Sequence, residues 1–341
     1  MNRRAMLRML ALAPCFLAPF RSQAEASNLL TISVNIPGPH LLPFIPIELI
    51  PRLGLDQAVG AGLAIRYLPS GVQSLDDVVA GNAQFAGVAF PVLPTFLANQ
   101  KPVQAMAVLG SGTPPYAVLI RNDLAGRIRS LGDLKGRSIG IAMGNSITKT
   151  YLQMLMELWL KANGVKSQEV RWVPTGQNYE AMLGALAGGV VDAIFCEEPM
   201  AGSLARKKLG VTLASLSDPK NPVRLVGQEH FRAVIASTPT FLDQHPRQAW
   251  MMAAMIRKVL LWIQTATPDE IVARLGIADQ ERAEDIRHVL AQIPGLFSRH
   301  GHFSSREMAS TRQFLKVAGI AMPASKDITA LIDDRWIVRA R

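Results

Sequence analysis

Cysteine is almost absent from this 341-residue chain, which has only Cys15 and Cys196. Cys15 falls in a leader-like N-terminus, so Cys196 would stand alone and no intramolecular disulfide can form. A single thiol in an apolar strand reads as inert core. Charge is sparse too, at 18% of residues, and aromatics make up 6%. The basic residues are scattered and not interleaved with aromatics, which argues against a nucleic-acid partner. No G-x-S-x-G elbow and no phosphate-binding P-loop occurs, so nucleophilic catalysis finds no support. His300-Gly301-His302 has the spacing of a metal pair, but no cysteine or carboxylate triplet adjoins it. Neither a metal site nor a cofactor is expected. Long repeats, low-complexity tracts and Ser/Gly-rich linkers are missing as well.

What is present is apolar. Hydrophobic residues make up 49% of the chain and mean hydropathy is +0.18, ample for a core and consistent with two compact units. The N-terminus has a basic head (Arg3, Arg4), an apolar run from Met6 to Phe20 interrupted by Arg8, and Ala24-Glu25-Ala26 as an A-x-A cleavage site. The run is too short to span a bilayer, so residues 1–26 read as a secretory signal for the periplasm. Arg3-Arg4-Ala5-Met6-Leu7-Arg8 leaves Sec and twin-arginine export both open. Pro14 before Cys15 does not suit a lipid anchor. Cleavage after Ala26 removes four basic residues and one acidic residue, lowering the formal charge from +10 to +7. A moderately basic exported protein suits anionic small ligands or an anionic membrane surface.

The stretch from Leu131 to Pro199 organises the rest. Leu131–Ser138 is a turn with two glycines, and Ile139–Met143 is a short buried strand. Gly144-Asn145-Ser146-Ile147-Thr148 then breaks the strand and offers helix-start chemistry. Leu152, Leu155, Met156 and Trp159 recur at helical spacing up to Asn163-Gly164. A second strand (Glu169–Pro174), a helix bearing Tyr179, Met182, Leu183 and Leu186, and a third strand (Val190–Cys196) lead into Glu197-Glu198-Pro199. Strands alternating with helices of this length predict parallel, doubly wound α/β sheets, with ligands beyond the strand ends.

D-L-K-G-R-S-I-G-I-A-M-G-N-S, followed by Asp192-Ala193-Ile194-Phe195 and Glu198-Pro199, resembles the solute-binding proteins of ABC importers. The nearest set is the nitrate/sulfonate/taurine and thiamine-precursor (NMT1/THI5-like) group. The resemblance implies a type II periplasmic binding protein: two doubly wound α/β lobes with a ligand cleft between them. It further implies a monomer that delivers a small anionic or zwitterionic solute to an ABC permease in the inner membrane. Two alternatives stay open, a thiamine-pyrimidine synthase-like enzyme and a sensing subunit for a membrane receptor. The enzyme group carries a Cys-rich run that Cys196 alone does not match. The family usually has Asp where this chain has Gln84, a departure read as structural.

Lobe 1 is expected over 27–115, lobe 2 over 116–226, and a return to lobe 1 with C-terminal helices over 227–341. Tyr116–Arg121 and His230–Ala236 are the crossings. Within lobe 1, Leu30–Val34, Leu63–Leu68, Phe85–Val88 and Val103–Leu109 read as strands, and Ser74 reads as the cap of a helix. After His245-Pro246 one long helix is expected, with Phe241 counted among its apolar positions. Others are expected near Pro268–Leu275, Ala278–Gln292, Ser304–Val317 and Ile328–Trp336.

Candidate ligand contacts sit at strand ends. Asn145, Ser146 and Thr148 could receive an anion at a helix N-terminus, unless Asn145 or Ser146 is only the cap. Glu198 could accept from a ligand amine or ring N–H, or lie in a solvated turn. His40 is either a pocket residue or a surface loop histidine. Ser111 and Thr113 precede the first crossing and could donate hydroxyls. Ser70 and Gly71 follow the second strand, Phe90 lies at the mouth of the third, and Asn178 completes the set.

Overall fold

The computed structural model describes residues 29–112, 115–216, 229–293 and 295–340. The leader and Thr113 therefore lie outside the described residues. In chain order the first half gives β1 (Leu30–Pro37), α1 (Ile45–Arg52), β2 (Ala61–Leu68), α2 (Gly71–Val79), β3 (Phe85–Ala89), α3 (Leu93–Ala98) and β4 (Gln104–Ser111). The middle gives β5 (Tyr116–Arg121), β6 (Ser138–Ile141), α4 (Tyr151–Ala162), β7 (Arg171–Pro174), α5 (Tyr179–Ala187), β8 (Ala193–Glu197), α6 (Met200–Arg206) and β9 (Gly210–Ser215). Then follow β10 (Phe231–Ser237), α7 (Pro239–Gln244), α8 (Pro246–Thr265), α9 (Pro268–Leu275), α10 (Gln280–Gln292), α11 (Ser305–Val317) and α12 (Arg335–Arg339).

The strands form two five-stranded sheets, ordered β2-β1-β3-β10-β4 and β7-β6-β8-β5-β9. In each, four strands run in one direction and the fifth, β10 or β5, runs antiparallel between its two neighbours. This is the two-lobed α/β architecture expected from alternating strands and helices. Apolar side chains gather into two clusters, each drawing on both lobes. Strand β10 is buried along its whole length, and β5 is buried except at Arg121. Among the described residues no helix is long and apolar enough to cross a membrane.

Several local expectations change for identifiable reasons. Helix α2 is capped by Ser70, whose extended backbone lets Oγ accept from Gln73 N at 3.3 Å. Ser74 instead lies buried inside the helix and donates back to Ser70 O at 3.1 Å. Asp77, the carboxylate three residues after Ser74, accepts from Asn35 and Asn82 rather than closing a capping box with it. Helix α4 begins at Tyr151 with Thr150 as cap, so neither Asn145 nor Ser146 caps it. Phe241 belongs to the separate helix α7, ended before Pro246. The segment Ile328–Trp336 is not one helix. Asp333 N donates to Ala105 O at 2.8 Å and Ile332 bridges to Ala105, which holds the chain extended beside β4 and splits the helix in two. Strand β9 had no expectation attached to it.

Gln84 answers the departure noted in the sequence. Its Oε1 accepts from Ser33 N at 3.0 Å and its own N–H donates to Ser33 Oγ at 3.0 Å, so it fastens β3 to β1.

Candidate functional site: an anion cradle between the lobes

The cleft between the sheets is built at the strand ends. Pro37 and Ala89 close β1 and β3, Tyr116 opens β5, and α2 and α4 point their first turns inward through Gly71, Val72, Thr150, Tyr151 and Leu152. The first N–H groups of a helix have no intrahelical partner and carry the positive end of its dipole. Two such ends facing one cavity favour an anion.

The decisive side chain is Arg232. Phe231 pairs with Ser111 and Ala233 with Gly110, so Arg232 is the extra residue of a β-bulge, a device that re-aims a side chain. It is 1% exposed and lines the cleft. Nη2 donates to Leu296 O at 3.0 Å, while Nε and Nη1 have no hydrogen-bond partner among the described residues. A β-carbon on Gly110 would stand 2.6 Å from Leu296 O and 3.0 Å from Arg232 Nη2, so only glycine leaves the guanidinium its place. A buried, half-satisfied guanidinium is costly unless something anionic completes it.

Aromatic rings fix the surround. Tyr151 Oη lies 2.7 Å from His230 Nε2, and His230 stacks on Phe314 with centroids 4.2 Å apart. Tyr116 packs against Phe195 and Tyr151. Burial pushes the phenols of Tyr116 and Tyr151 up, so both remain neutral donors.

The cavity is small, about 30 Å³, because the lobes touch. Gly38, with φ of +58°, approaches so closely that a β-carbon there would sit 2.3 Å from Gln177 O. On another rim Asn145 Nδ2 donates to Asp76 Oδ2 at 2.6 Å, again across the lobes.

The sequence-derived candidates divide accordingly. Gly71 lines the cradle and Ser70 caps the helix that supplies it. Asn145 is a rim contact, and its Oδ1 accepts from Ile147 N and Thr148 N. Ser146 is exposed, and Thr148 is buried with its carbonyl accepting from Asn145 N at 3.1 Å. Phe90 turns into the core against Phe231, leaving Ala89 to face the cleft. Ser111 lines a separate depression with Glu229, His300 and His302. Asn178 caps α5 through Ala181 N at 2.7 Å. His40 and Glu198 line a second interlobe cavity, where Glu198 accepts from Gly202 N at 2.8 Å. Sequence reasoning missed Arg232, Tyr116 and Tyr151. The available signal was a lone arginine amid the apolar crossing Phe231–Ala236, where a buried charge has no structural use.

Two lobes joined by crossing strands around a cleft define the periplasmic-binding-protein fold. The chain belongs to the NMT1/THI5-like family, whose model matches residues 59–257. No curated protein matches it. Among solved structures it resembles a protein of Bordetella bronchiseptica RB50 (TM-score 0.77, 20% identity, 91% of this chain and 96% of that one). It also resembles the periplasmic nitrate-binding protein NrtA from Synechocystis PCC 6803 (TM-score 0.68, 13% identity, 92% and 88%). A third likeness is to the alkanesulfonate-binding protein SsuA from Xanthomonas axonopodis pv. citri bound to MOPS (TM-score 0.66, 14% identity, 89% and 98%). At these identities the likeness is one of fold.

Proposed function

We propose that this protein is an exported, monomeric solute-binding protein of the periplasm that captures a small anion and delivers it to an ABC permease. Lobe 2, over 116–226, closes on lobe 1 around the ligand. The observation that carries this reading is the half-satisfied guanidinium of Arg232, with Nε and Nη1 unpartnered among the described residues, between the first turns of α2 and α4. A planar guanidinium with two free donors matches a nitrate, carboxylate or sulfonate group. The nitrate- and alkanesulfonate-binding relatives in fold agree with that chemistry. Closure excludes water and strengthens each bond to the anion.

The enzyme suggested by part of the family's name draws little support. Cys196 is fully buried, and burial, with Glu198 and Glu197 beside it, pushes its thiol well up, away from the thiolate that a nucleophile needs.

Calorimetric titration of the mature protein with nitrate, propanesulfonate, taurine and aromatic carboxylates tests the reading. At least one should bind, and Arg232→Met should abolish that binding. Undiminished affinity in the folded variant would remove the proposal.

A further inference from the structure

A second cavity, of about 120 Å³, lies between the lobes and shares no lining residue with the anion cradle. Its walls come from the loop after β1, from the β8–α6 junction and from α10. The basic side chains at its edge are engaged elsewhere. Arg282 donates to Pro39 O at 3.1 Å, and Lys207 Nζ lies 3.3 Å from Glu281 and over the Tyr179 ring. Its acids are not saturated. Glu197 is 4% exposed and its Oε1 has no partner among the described residues. Asp285 is 7% exposed; Oδ1 pairs with Arg206, while Oδ2 has no partner among the described residues. Both carboxylates line the cavity, and Leu41, Leu42 and Met200 give it an apolar wall. Two buried acceptors beside an apolar wall call for a donor that carries both charge and carbon.

We propose that this cavity binds an organic ammonium group, held between Glu197 and Asp285 with its carbon body against Leu41, Leu42 and Met200. An ammonium offers three donors, enough to serve both free oxygens and leave one for water or Tyr179. The cavity suits a short alkylamine or the end of a longer chain. The same ammonium chemistry has two possible sources: a separate amine, or the cationic end of a molecule whose anionic end sits at Arg232.

Glu197 also supplies a readout. Arg232, Glu198, Cys196, Tyr116 and Tyr151 are charged and titratable groups around it. Burial, opposed by Arg232 and reinforced by Glu198, lifts its carboxyl to about 8. Forming an ion pair with an ammonium at pH 7 therefore expels a proton.

The test is calorimetry on the mature protein with propylammonium, propanesulfonate and 3-aminopropanesulfonate, each run in phosphate and in triethanolamine, whose bulky tertiary ammonium has a single donor. Propylammonium should bind, and Glu197→Gln and Asp285→Asn should each weaken it at least about tenfold, as expected for loss of one bond to a charged group. Propanesulfonate should be unaffected by either change. The buffer-dependent heat of proton release should vanish in Glu197→Gln, which a merely structural role for Glu197 would not produce. If the ammonium belongs to a zwitterion, 3-aminopropanesulfonate should lose affinity in both acid variants and in Arg232→Met. If it belongs to a separate amine, propylammonium and propanesulfonate should bind together without competing. Melting curves check that each variant folds, and either acid variant alone suffices. Failure of propylammonium to bind, or equal binding by wild type and both variants, overturns the proposal. Neither result touches the anion reading, which stands or falls on propanesulfonate and Arg232→Met.

Discussion

The two lobes are near copies in strand order, and each ties its first strand to its third with the same device. In lobe 1 Ser33 and Gln84 exchange two bonds. In lobe 2 Ser138 and Asp192 exchange three, with Ser138 N and Oγ donating to Asp192 Oδ2 and Asp192 N donating to Ser138 Oγ, all at 2.9 Å. The difference is charge. Burial raises the Asp192 carboxyl, but the Ser138 donors, with Arg137 and Arg121, hold it below its ordinary range. The third strands also end differently: β3 ends at Ala89 and the core residue Phe90, whereas β8 ends at the buried acid Glu197. Lobe 1 takes the long helix α8 against α1 and β4, together with the cradle arginine on β10. Lobe 1 thus supplies the cradle arginine, and lobe 2 the buried acid Glu197. Similar topology leaves room for unlike electrostatics, because the ladder bonds are made by backbone and the chemistry by a few side chains at strand ends.

The largest expected effect separates the strand ends. Glu197 has a folded value near 8 against an unfolded one near 4.5, so its stabilising share is complete below about 4.5 and lost as pH rises through 8. The upper bound is about 5 kcal/mol across that window. Melting of the ligand-free protein from pH 5 to 8.5 should show the decline, and Glu197→Gln should flatten it. A profile that Glu197→Gln leaves unaltered would show that the acid titrates normally.

Next comes the cradle. Arg232→Met should cost at least about 3 kcal/mol of anion binding, two decades or more, while leaving stability equal or higher because a poorly paired buried charge is removed. Titration and melting of the same sample separate the two.

Closure is tested at Gly38. Gly38→Ala should hold the lobes apart, since its β-carbon meets the Gln177 carbonyl at 2.3 Å. We expect roughly tenfold weaker binding and a larger scattering radius with ligand present. An unchanged radius and affinity would mean that the lobes do not meet there in the bound state.

The clamps give a smaller contrast. Ser138→Ala should destabilise by about 2 kcal/mol and Ser33→Ala by about 1, since bonds to a charged acceptor are stronger. Equal losses in chemical denaturation would contradict the charge argument. The least effect distinguishes the helix cap: Thr150→Ala should cost about 1 kcal/mol, and Ser146→Ala less than about 0.5.

The sequence by itself determined the elements and their alternation, because apolar periodicity reports burial on one face of a helix or both faces of a strand. It marked Tyr116–Arg121 and the run ending at Ala236 as buried strands, since both are too apolar to lie at a surface. It placed Gly71 and Glu198 near cavities by the rule of strand ends. Tertiary structure alone decided which cap was real, Ser70 over Ser74 and Thr150 over Ser146, because a cap depends on where the chain turns extended. It also broke the Ile328–Trp336 helix through a bond from Asp333 to a strand more than two hundred residues away in sequence. The cradle belongs wholly to that level. Arg232 faces the cleft because a one-residue bulge offsets β10 from β4, and its Nε and Nη1 have no partner among the described residues. Pairing register and unmet hydrogen bonds are properties of two segments at once, and neither segment's own sequence contains them.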